Sequence, residues 1–166
     1  MAVQEVRLYP DPILKQVCAP VTCMDARIDA LVQDLLDTMI AAGHSVGVAA
    51  PQIGVGLRVV VVDVSNSKLG RDDNHGQLVM INPEIVEREG ERVMREGCMS
   101  VPDYTGNVTR AESIVVQYLD RSGSERVIRA NGFEAVAIQH EMDHLDGMLF
   151  LDRVSNLKTD VFRRKK

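Results

Sequence analysis

Residues 139–147 read QHEMDHLDG and contain the pattern His-Glu-x-x-His at His140, Glu141 and His144. On an α-helix, residues four apart lie on one face about 6 Å apart along the axis, so the two imidazoles can reach one metal ion. Glu141 lies roughly 100° around the helix from His140, where it can address a metal-bound water without becoming a ligand. The stretch predicts a helix with two metal ligands and a neighbouring carboxylate. The alternative is two histidines that pack in a core or face solvent.

The residues after this stretch lack the third ligands of the usual peptidases that carry the pattern. One class extends the motif to HExxHxxGxxH, but Phe150 stands where the third histidine would be and cannot ligate a metal. Another class takes a glutamate from a downstream helix, and no glutamate follows Glu141 in this sequence. Candidate oxygen donors remain at Asp146, Asp152 and Asp160. An upstream ligand is therefore favoured.

Cys98 is the best upstream candidate, within residues 96–100, which read EGCMS. Gly97 allows the backbone to approach another group closely, and Pro102 is expected to stop regular strand pairing. A thiolate at a strand end would complete a site of two imidazoles, one thiolate and one water, which is an open catalytic geometry. The alternative for a lone cysteine is a small buried apolar side chain.

Length, composition and charge are those of an ordinary globular protein. The 166 residues suggest a single domain, 1–166, with a flexible tail from about residue 157. A net charge of −5 gives no basic field for DNA binding. No stretch approaches the roughly 18–20 apolar residues of a membrane span, and the N-terminus lacks the pattern of a signal peptide. Three cysteines without an export signal favour reduced thiols and a cytoplasmic location.

Three helices are predicted from caps and from the spacing of apolar residues. A short one covers 12–17, after an aspartate and with proline at its first position. In 26–44, apolar residues recur three and four apart, and Gly43 is expected to end the helix. Asn131 and Glu134 are similar to a capping box, which starts the helix that continues through His-Glu-x-x-His.

Strands are predicted between the second and third helices. Residues 57–64, LRVVVVDV, predict a buried strand. Residues 45–54, SVGVAAPQIG, predict a loop with some strand character, and the polar stretch 65–77 predicts an exposed loop. Further strands are expected at 78–82, 84–89, 91–99, 113–120 and 124–129. This order predicts an α+β fold, with antiparallel strands around the helix that carries the metal pattern, and with an N-terminal helix.

Three stretches in this sequence resemble the motifs of one family, the bacterial-type peptide deformylases. SVGVAAPQIG is similar to GxGhAAxQh, EGCMS to EGCLS, and QHEMDHLDG to QHExDHLxG. Their order and spacing also match, and the resemblance covers essentially the whole chain. It implies a hydrolase that removes the formyl group from N-formylmethionyl nascent peptides and releases formate.

The resemblance also implies a role for individual residues. The metal ligands would be Cys98, His140 and His144. Glu141 would act as general acid and base while a metal-activated water attacks the formyl carbonyl. Gln52 and the backbone N–H of Met99 would donate hydrogen bonds to the developing oxyanion. One divalent ion is implied, Fe²⁺ in the cell, with Zn²⁺, Ni²⁺ or Co²⁺ as substitutes in a purified protein.

Substrate contacts are implied by the resemblance as well. An apolar pocket for the methionine side chain would be lined by Val46, Phe133 and Val136, and core packing is the alternative for each of them. Backbone groups near Gly47 and Gly97 could pair with the peptide as an added strand.

Two further features of the sequence bear on the site and on its partners. Ser45 stands where the family motif has its first glycine, and serine would be strained there if φ is positive. The terminal residues 163–166 could touch ribosomal RNA in a transient contact, or form a solvated tail.

A metallopeptidase that cuts internal bonds and a metal-containing binding protein without catalysis remain alternative functions.

Overall fold

In the computed structural model, which describes residues 2–164, two α-helices accompany eight β-strands. Helix α1 covers Ala26–Ala42 and α2 covers Gly132–Leu145. The strands are β1 Gly47–Ala49, β2 Val59–Val62, β3 Leu78–Glu89, β4 Arg92–Cys98, β5 Val101–Arg110, β6 Ser113–Leu119, β7 Glu125–Asn131 and β8 Val161–Arg163. Short 3₁₀ helices cover Pro12–Lys15, Ala50–Ile53 and Phe150–Arg153.

The strands form two antiparallel sheets. The larger sheet has the order β1-β2-β3-β6-β7, and the smaller one has the order β4-β5-β8. Every pair of neighbouring strands in both sheets is antiparallel. The α+β class predicted from the sequence is therefore confirmed. Within residues 2–164, no helix combines the length and the apolar character needed to cross a membrane.

The valine run of β2 is buried on both faces, which explains why it shows no polar alternation. Val59 and Val61 pack in the cluster that contains the apolar face of α1. Val60 and Val62 point the other way, into the cluster that contains α2. Successive side chains of a strand point to opposite faces, so one strand contributes to two cores. A third, smaller cluster joins the second sheet to Phe150.

The predicted helix at 26–44 is confirmed as α1, and its ends follow the expected chemistry. The Asp25 carboxylate accepts hydrogen bonds from the first-turn N–H groups of Arg27 and Ile28, at 3.0 and 3.3 Å. Gly43 follows the helix with a φ of +76°, a conformation that glycine adopts without a steric cost. The short helix predicted at 12–17 is shorter, a 3₁₀ turn at Pro12–Lys15.

Most predicted strands are found with ends shifted by one or two residues, β5 was not predicted, and two differences concern specific residues. The predicted strands 78–82 and 84–89 are one strand, β3, with register shifts and a positive φ at Asn82 where we expected a break. Pro102 does not end strand structure, because β5 begins at Val101 and contains it. The proline lies in an irregular part of the β4–β5 ladder, where a missing N–H removes no regular hydrogen bond.

The C-terminal segment also differs from the prediction of a loose tail. Residues 161–163 form β8, which pairs with Tyr104–Gly106 of β5. The backbone N–H of Asn107 donates to Asp160 O at 2.8 Å, which extends this attachment by one more hydrogen bond. Of the basic residues at 163–166, Lys165 and Lys166 lie outside the described residues.

Candidate active site

The first turn of α2 is organised differently from the predicted capping box. Asn131 accepts a hydrogen bond from the Ser113 hydroxyl at 2.7 Å rather than capping the helix. The buried Glu134 carboxylate accepts from the backbone N–H of His75 at 2.6 Å and contacts the ring Nδ1 of His75 at 2.5 Å. Glu134 thus joins the polar loop 65–77 to the helix, because both of its carboxylate oxygens contact His75.

Helix α2 and the end of β4 bring three potential metal ligands together. One nitrogen from His140, one from His144 and the Cys98 sulfur lie within 4.8 Å of one another, and all three residues are buried. Cys98 Sγ lies 3.4 Å from His144 Nε2. The ring of Phe150, which replaces the third histidine of other motifs, stacks on His140 with centroids 6.4 Å apart. The three residues predicted as ligands form one cluster.

Behind this cluster lies a buried charged network that we did not predict. Glu96 Oε1 contacts His140 Nδ1 at 2.8 Å, and Arg110 donates to both Glu96 oxygens at 2.6 and 2.9 Å. Arg110 also donates to Asp143 Oδ2 at 2.7 Å. The contact to Glu96 leaves Nε2 of His140 for the cluster, as metal-binding histidines require.

The charges in this network follow from its contacts. Burial alone would raise the pKa of Glu96, but the hydrogen bonds from His140 and Arg110 lower it to about 2. Burial lowers the pKa of His144 well below its usual value, and the nearby His140 and Arg110 lower it further. The sequence could have indicated that Glu96 lies near the site. Residues two apart on a strand share a face, and Cys98 follows Glu96 by two residues in β4.

Glu141 lies beside the cluster with one oxygen unsatisfied. Its side chain is buried, and Oε1 has no hydrogen-bond partner among residues 2–164. Burial raises the pKa of this carboxyl to about 7. Gly47 of β1 packs against it so closely that a Cβ at that position would lie 2.8 Å from Glu141 Oε2. The motif glycine is thus explained by the approach of the glutamate.

Gln52 is buried in the 3₁₀ helix that follows β1, not exposed on a surface loop. Its Oε1 accepts from Ala49 N–H at 3.0 Å, which fixes the orientation of the amide. Its Nε2 then points to Ser100 Oγ at 3.1 Å and to Cys98 Sγ at 3.4 Å. An N–H donor is therefore held next to the proposed thiolate ligand.

A cleft of about 510 Å³ opens onto these groups. In addition to Gln52, the cleft is lined by Val46, Gly47, Met99 and Val136, all of which were predicted to contact substrate or oxyanion. Gly97 lines it as well, but the group that approaches Gly97 is the Arg164 side chain. Phe133 is not among the described residues that line the cleft, and it packs, partly buried, against the core beneath α2.

The donor set fits one divalent metal ion. A thiolate and two imidazoles are ligands that suit iron and zinc, and such a site leaves a position for water or substrate. Oε1 of Glu141 is buried and has no hydrogen-bond partner in the described chain, so a bound polar group is needed to satisfy it. The second buried atom without a partner in the described chain is Nδ1 of His144, the ring nitrogen opposite the Nε2 that lies near Cys98 Sγ.

Comparison with known proteins agrees with the motifs and the geometry. The family described as polypeptide deformylase matches residues 3–160. The chain belongs to the polypeptide deformylase family. Peptide deformylase from Xylella fastidiosa M12 is 47% identical, over 99% of this chain and 95% of its own. The relative from Thermodesulfovibrio yellowstonii is 42% identical, over 99% of this chain and 97% of its own.

Solved deformylase structures share the fold. The crystal structure from Legionella pneumophila has a TM-score of 0.86 and 42% identity, covering 95% of this chain and 89% of its own. The structure from Ehrlichia chaffeensis in complex with actinonin has a TM-score of 0.88 and 38% identity, covering 95% and 92%. Polypeptide deformylases are metal-dependent enzymes that remove the N-formyl group of nascent peptides, and this chain is an enzyme of that family.

Ser45, the departure from the deformylase glycine motif, is not strained. Among residues 2–164, the non-glycine residue with positive φ is Asn82, so Ser45 adopts an ordinary backbone conformation. Its hydroxyl donates to the Gly47 carbonyl at 3.0 Å. The serine side chain thus stabilises the turn that leads into β1 by a local hydrogen bond.

Proposed function

We propose that Cys98, His140 and His144 hold one divalent metal and that Glu141 moves the proton during hydrolysis of the N-formyl group. The observation that carries this assignment is the unpartnered Oε1 of Glu141, buried beside three clustered ligand atoms. A buried carboxylate oxygen without a hydrogen bond costs free energy, so its placement indicates a group that binds there in the working enzyme.

The residues of this chain divide the reaction between them. When bound, the metal supplies an activated water as nucleophile and polarises the formyl carbonyl. Glu141 accepts the proton of the attacking water and delivers it to the leaving amine nitrogen of methionine. Its packing against Gly47 keeps the carboxylate beside the cleft rather than in solvent. Formate and a free amino terminus are the products.

Gln52 and Met99 stabilise the negative charge that develops on the formyl oxygen. The Gln52 amide is oriented by Ala49 before substrate arrives, so the enzyme spends no free energy on turning it during the reaction. Removing one donor of this kind costs roughly 2.7–4 kcal/mol of transition-state stabilisation. The backbone N–H of Met99 is the second donor, next to Cys98 in the turn between β4 and β5.

The cleft binds the start of the peptide. Val46 and Val136 form its apolar part and accept the methionine side chain, with Ala137 beside them. The backbone near Gly47 and along β4 pairs with the peptide as an added strand, which binds main-chain groups and tolerates many sequences. We leave Phe133 out of this pocket, because it packs in the core.

The remaining assignments concern metal, partners and location. Fe²⁺ is the metal we expect in the cell, with Zn²⁺, Ni²⁺ or Co²⁺ as replacements in a purified sample. The partners are N-formylmethionyl nascent peptides, with a transient contact to the ribosome, and the enzyme works in the cytoplasm as a single catalytic domain. Anaerobic purification followed by metal analysis tests the first point directly. Iron at one equivalent supports it, and another metal at that level contradicts it.

A further inference from the structure

Strand β8 places a basic side chain inside the active-site cleft. Its pairing with β5 ends at Arg163, and the next backbone N–H, of Arg164, donates to Asp103 O at 2.7 Å. The Arg164 guanidinium then covers the open face of Gly97, in direct contact with the position that a Cβ would take there. Arg164 therefore forms part of the cleft wall next to Gly97, the residue that precedes Cys98.

The same strand positions a second cation on this wall. The guanidinium of Arg95 lies over the Phe162 ring at 3.7 Å from its centroid, a cation–π contact. Arg95 and Arg164 both line the cleft. Strand β8 thus positions two guanidinium groups on the cleft wall, one through the Phe162 ring and the other at the residue that follows the strand.

Neither guanidinium is neutralised within the described part of the chain. No ion pair joins Arg95 or Arg164 to a carboxylate among residues 2–164, whereas most other arginines of the protein have one. Of the two carboxylates in the cleft, Glu96 is paired with Arg110 and Glu141 lies by the metal ligands. The cleft wall is therefore basic in a chain whose net charge is −5.

We propose that Arg95 and Arg164 select formylmethionyl peptides that carry an acidic side chain in the first few residues after methionine. The inference rests on the proposed function, which places the formyl end at Cys98 and the peptide along β4. An extended peptide advances about 3.3 Å per residue, so residues just after methionine pass Gly97 and the two guanidinium groups. Arginine favours carboxylates because its planar donors match both carboxylate oxygens.

Paired peptides test this charge preference. We would use formyl-Met-Ala-Ser-Ser amide and its derivatives with a single Glu or Gln at position 2, 3 or 4. The amide removes the terminal carboxylate, and Gln matches the size of Glu without its charge. At low salt we expect kcat/KM for Glu to exceed that for Gln by about three- to ten-fold at one position, and less at high salt. A ratio of one or below at all three positions would overturn the proposal.

Three variants identify the groups responsible. In Arg164→Gln and in Arg95→Gln, the Glu-to-Gln ratio should fall towards one. Arg163→Gln removes the same charge from the neighbouring residue, which does not line the cleft, and should keep the wild-type ratio. If Arg164→Gln instead speeds both peptides equally, Arg164 is a steric wall and the proposal is wrong. The same conclusion follows if all three variants lower the ratio equally, since only the overall charge then matters.

A binding measurement separates this inference from the proposed function. In nickel-loaded Glu141→Gln, calorimetry gives the Kd of each peptide without turnover. Tighter binding of the Glu peptide, lost in the added Arg164→Gln change, supports the charge preference even if no formate is ever released. Equal Kd values contradict the preference, while formate release from formyl-Met-Ala-Ser-Ser amide by the wild type would still support the deformylase assignment.

Discussion

At the scale of single residues, Glu141 and Cys98 carry the chemistry and can be tested separately. Glu141 contributes no atom to the ligand cluster, whereas Cys98 contributes its sulfur. Loss of the first should therefore remove the proton transfer and keep the metal, and loss of the second should remove the metal itself. The two substitutions distinguish a base from a ligand.

For Glu141→Gln we expect metal content to remain near wild type and formate release to fall by about 10²–10⁴-fold, the usual contribution of a general acid–base group. Metal analysis and a formate assay on the same preparation measure both. Glu112→Gln, at a half-exposed carboxylate outside the cleft, is the matched control. Full activity of Glu141→Gln would remove Glu141 from the mechanism.

For Cys98→Ala we expect metal affinity to fall by more than the roughly 10- to 100-fold typical of losing a group that only supports a ligand. Competition with a chelator of known affinity measures it. Cys18→Ala is the control, because Cys18 is also buried but lies in the hydrophobic core rather than at the cluster. Unchanged metal affinity of Cys98→Ala would show that the third ligand is another residue.

Gly47→Ala should lower kcat by about 10²-fold, because the added methyl group displaces the Glu141 carboxylate and small misplacements of catalytic groups have effects of this size. Gly56→Ala is matched to it, since a Cβ at Gly56 meets no atom within 4 Å. Steady-state kinetics of both variants, with circular dichroism to confirm folding, make the comparison. Equal kcat values for the two variants would contradict the close packing of Gly47 on Glu141.

The sequence predicts that the three potential ligands lie together, but it does not predict most of the groups that hold them in place. His140 and His144 share a helix face that their spacing specifies, and Cys98 follows from the strand-end motif. Glu96 and Arg110 meet across strands, and Arg164 reaches Gly97 from the far end of the chain. Contacts at such separations depend on how elements pack, and no local spacing encodes them.

At the scale of elements, the buried network connects β4, β5 and α2. The side chain of Arg110 in β5 is 3% exposed and donates to Glu96 of β4 and to Asp143 of α2. A cation between two buried carboxylates holds the ligand-bearing elements in one arrangement, and its removal leaves both negative charges without their common partner. The contribution of this network to the free energy of unfolding can therefore be measured by removing Arg110.

Arg110→Ala should lower the free energy of unfolding by about 3–5 kcal/mol, the range for removing one partner of a buried ion pair. Arg126→Ala removes an exposed pair with Asp120 and should change it by no more than about 1 kcal/mol. Urea denaturation of the metal-free proteins compares the two. Similar free energies for both variants would mean that the buried network contributes no more than a surface pair.

Elements with a strong local signal are predictable, and those defined by pairing are not. The spacing of apolar residues predicts α1, and the valine run predicts β2. The strand β8 has three residues and no pattern of its own, so it exists through its pairing with β5. The capping box predicted at Glu134 fails for a similar reason, because His75 from a distant loop takes that carboxylate.

At the scale of the whole molecule, the site lies where the two sheets and α2 meet. The five-stranded sheet contributes Gly47, the three-stranded sheet contributes Cys98, and α2 contributes both histidines and Glu141. Membership of the deformylase family and the cleft beside this junction agree on one reaction. The central claim is that this arrangement hydrolyses the formyl amide and leaves the peptide chain intact.

One assay tests that claim most directly. The protein is loaded anaerobically with Fe²⁺ and incubated with formyl-Met-Ala-Ser, and both formate and peptide products are quantified. We expect one formate for each molecule of intact Met-Ala-Ser, and no turnover in the metal-free protein. Cleavage of an internal peptide bond, or no formate with iron, zinc, nickel or cobalt, would contradict the account.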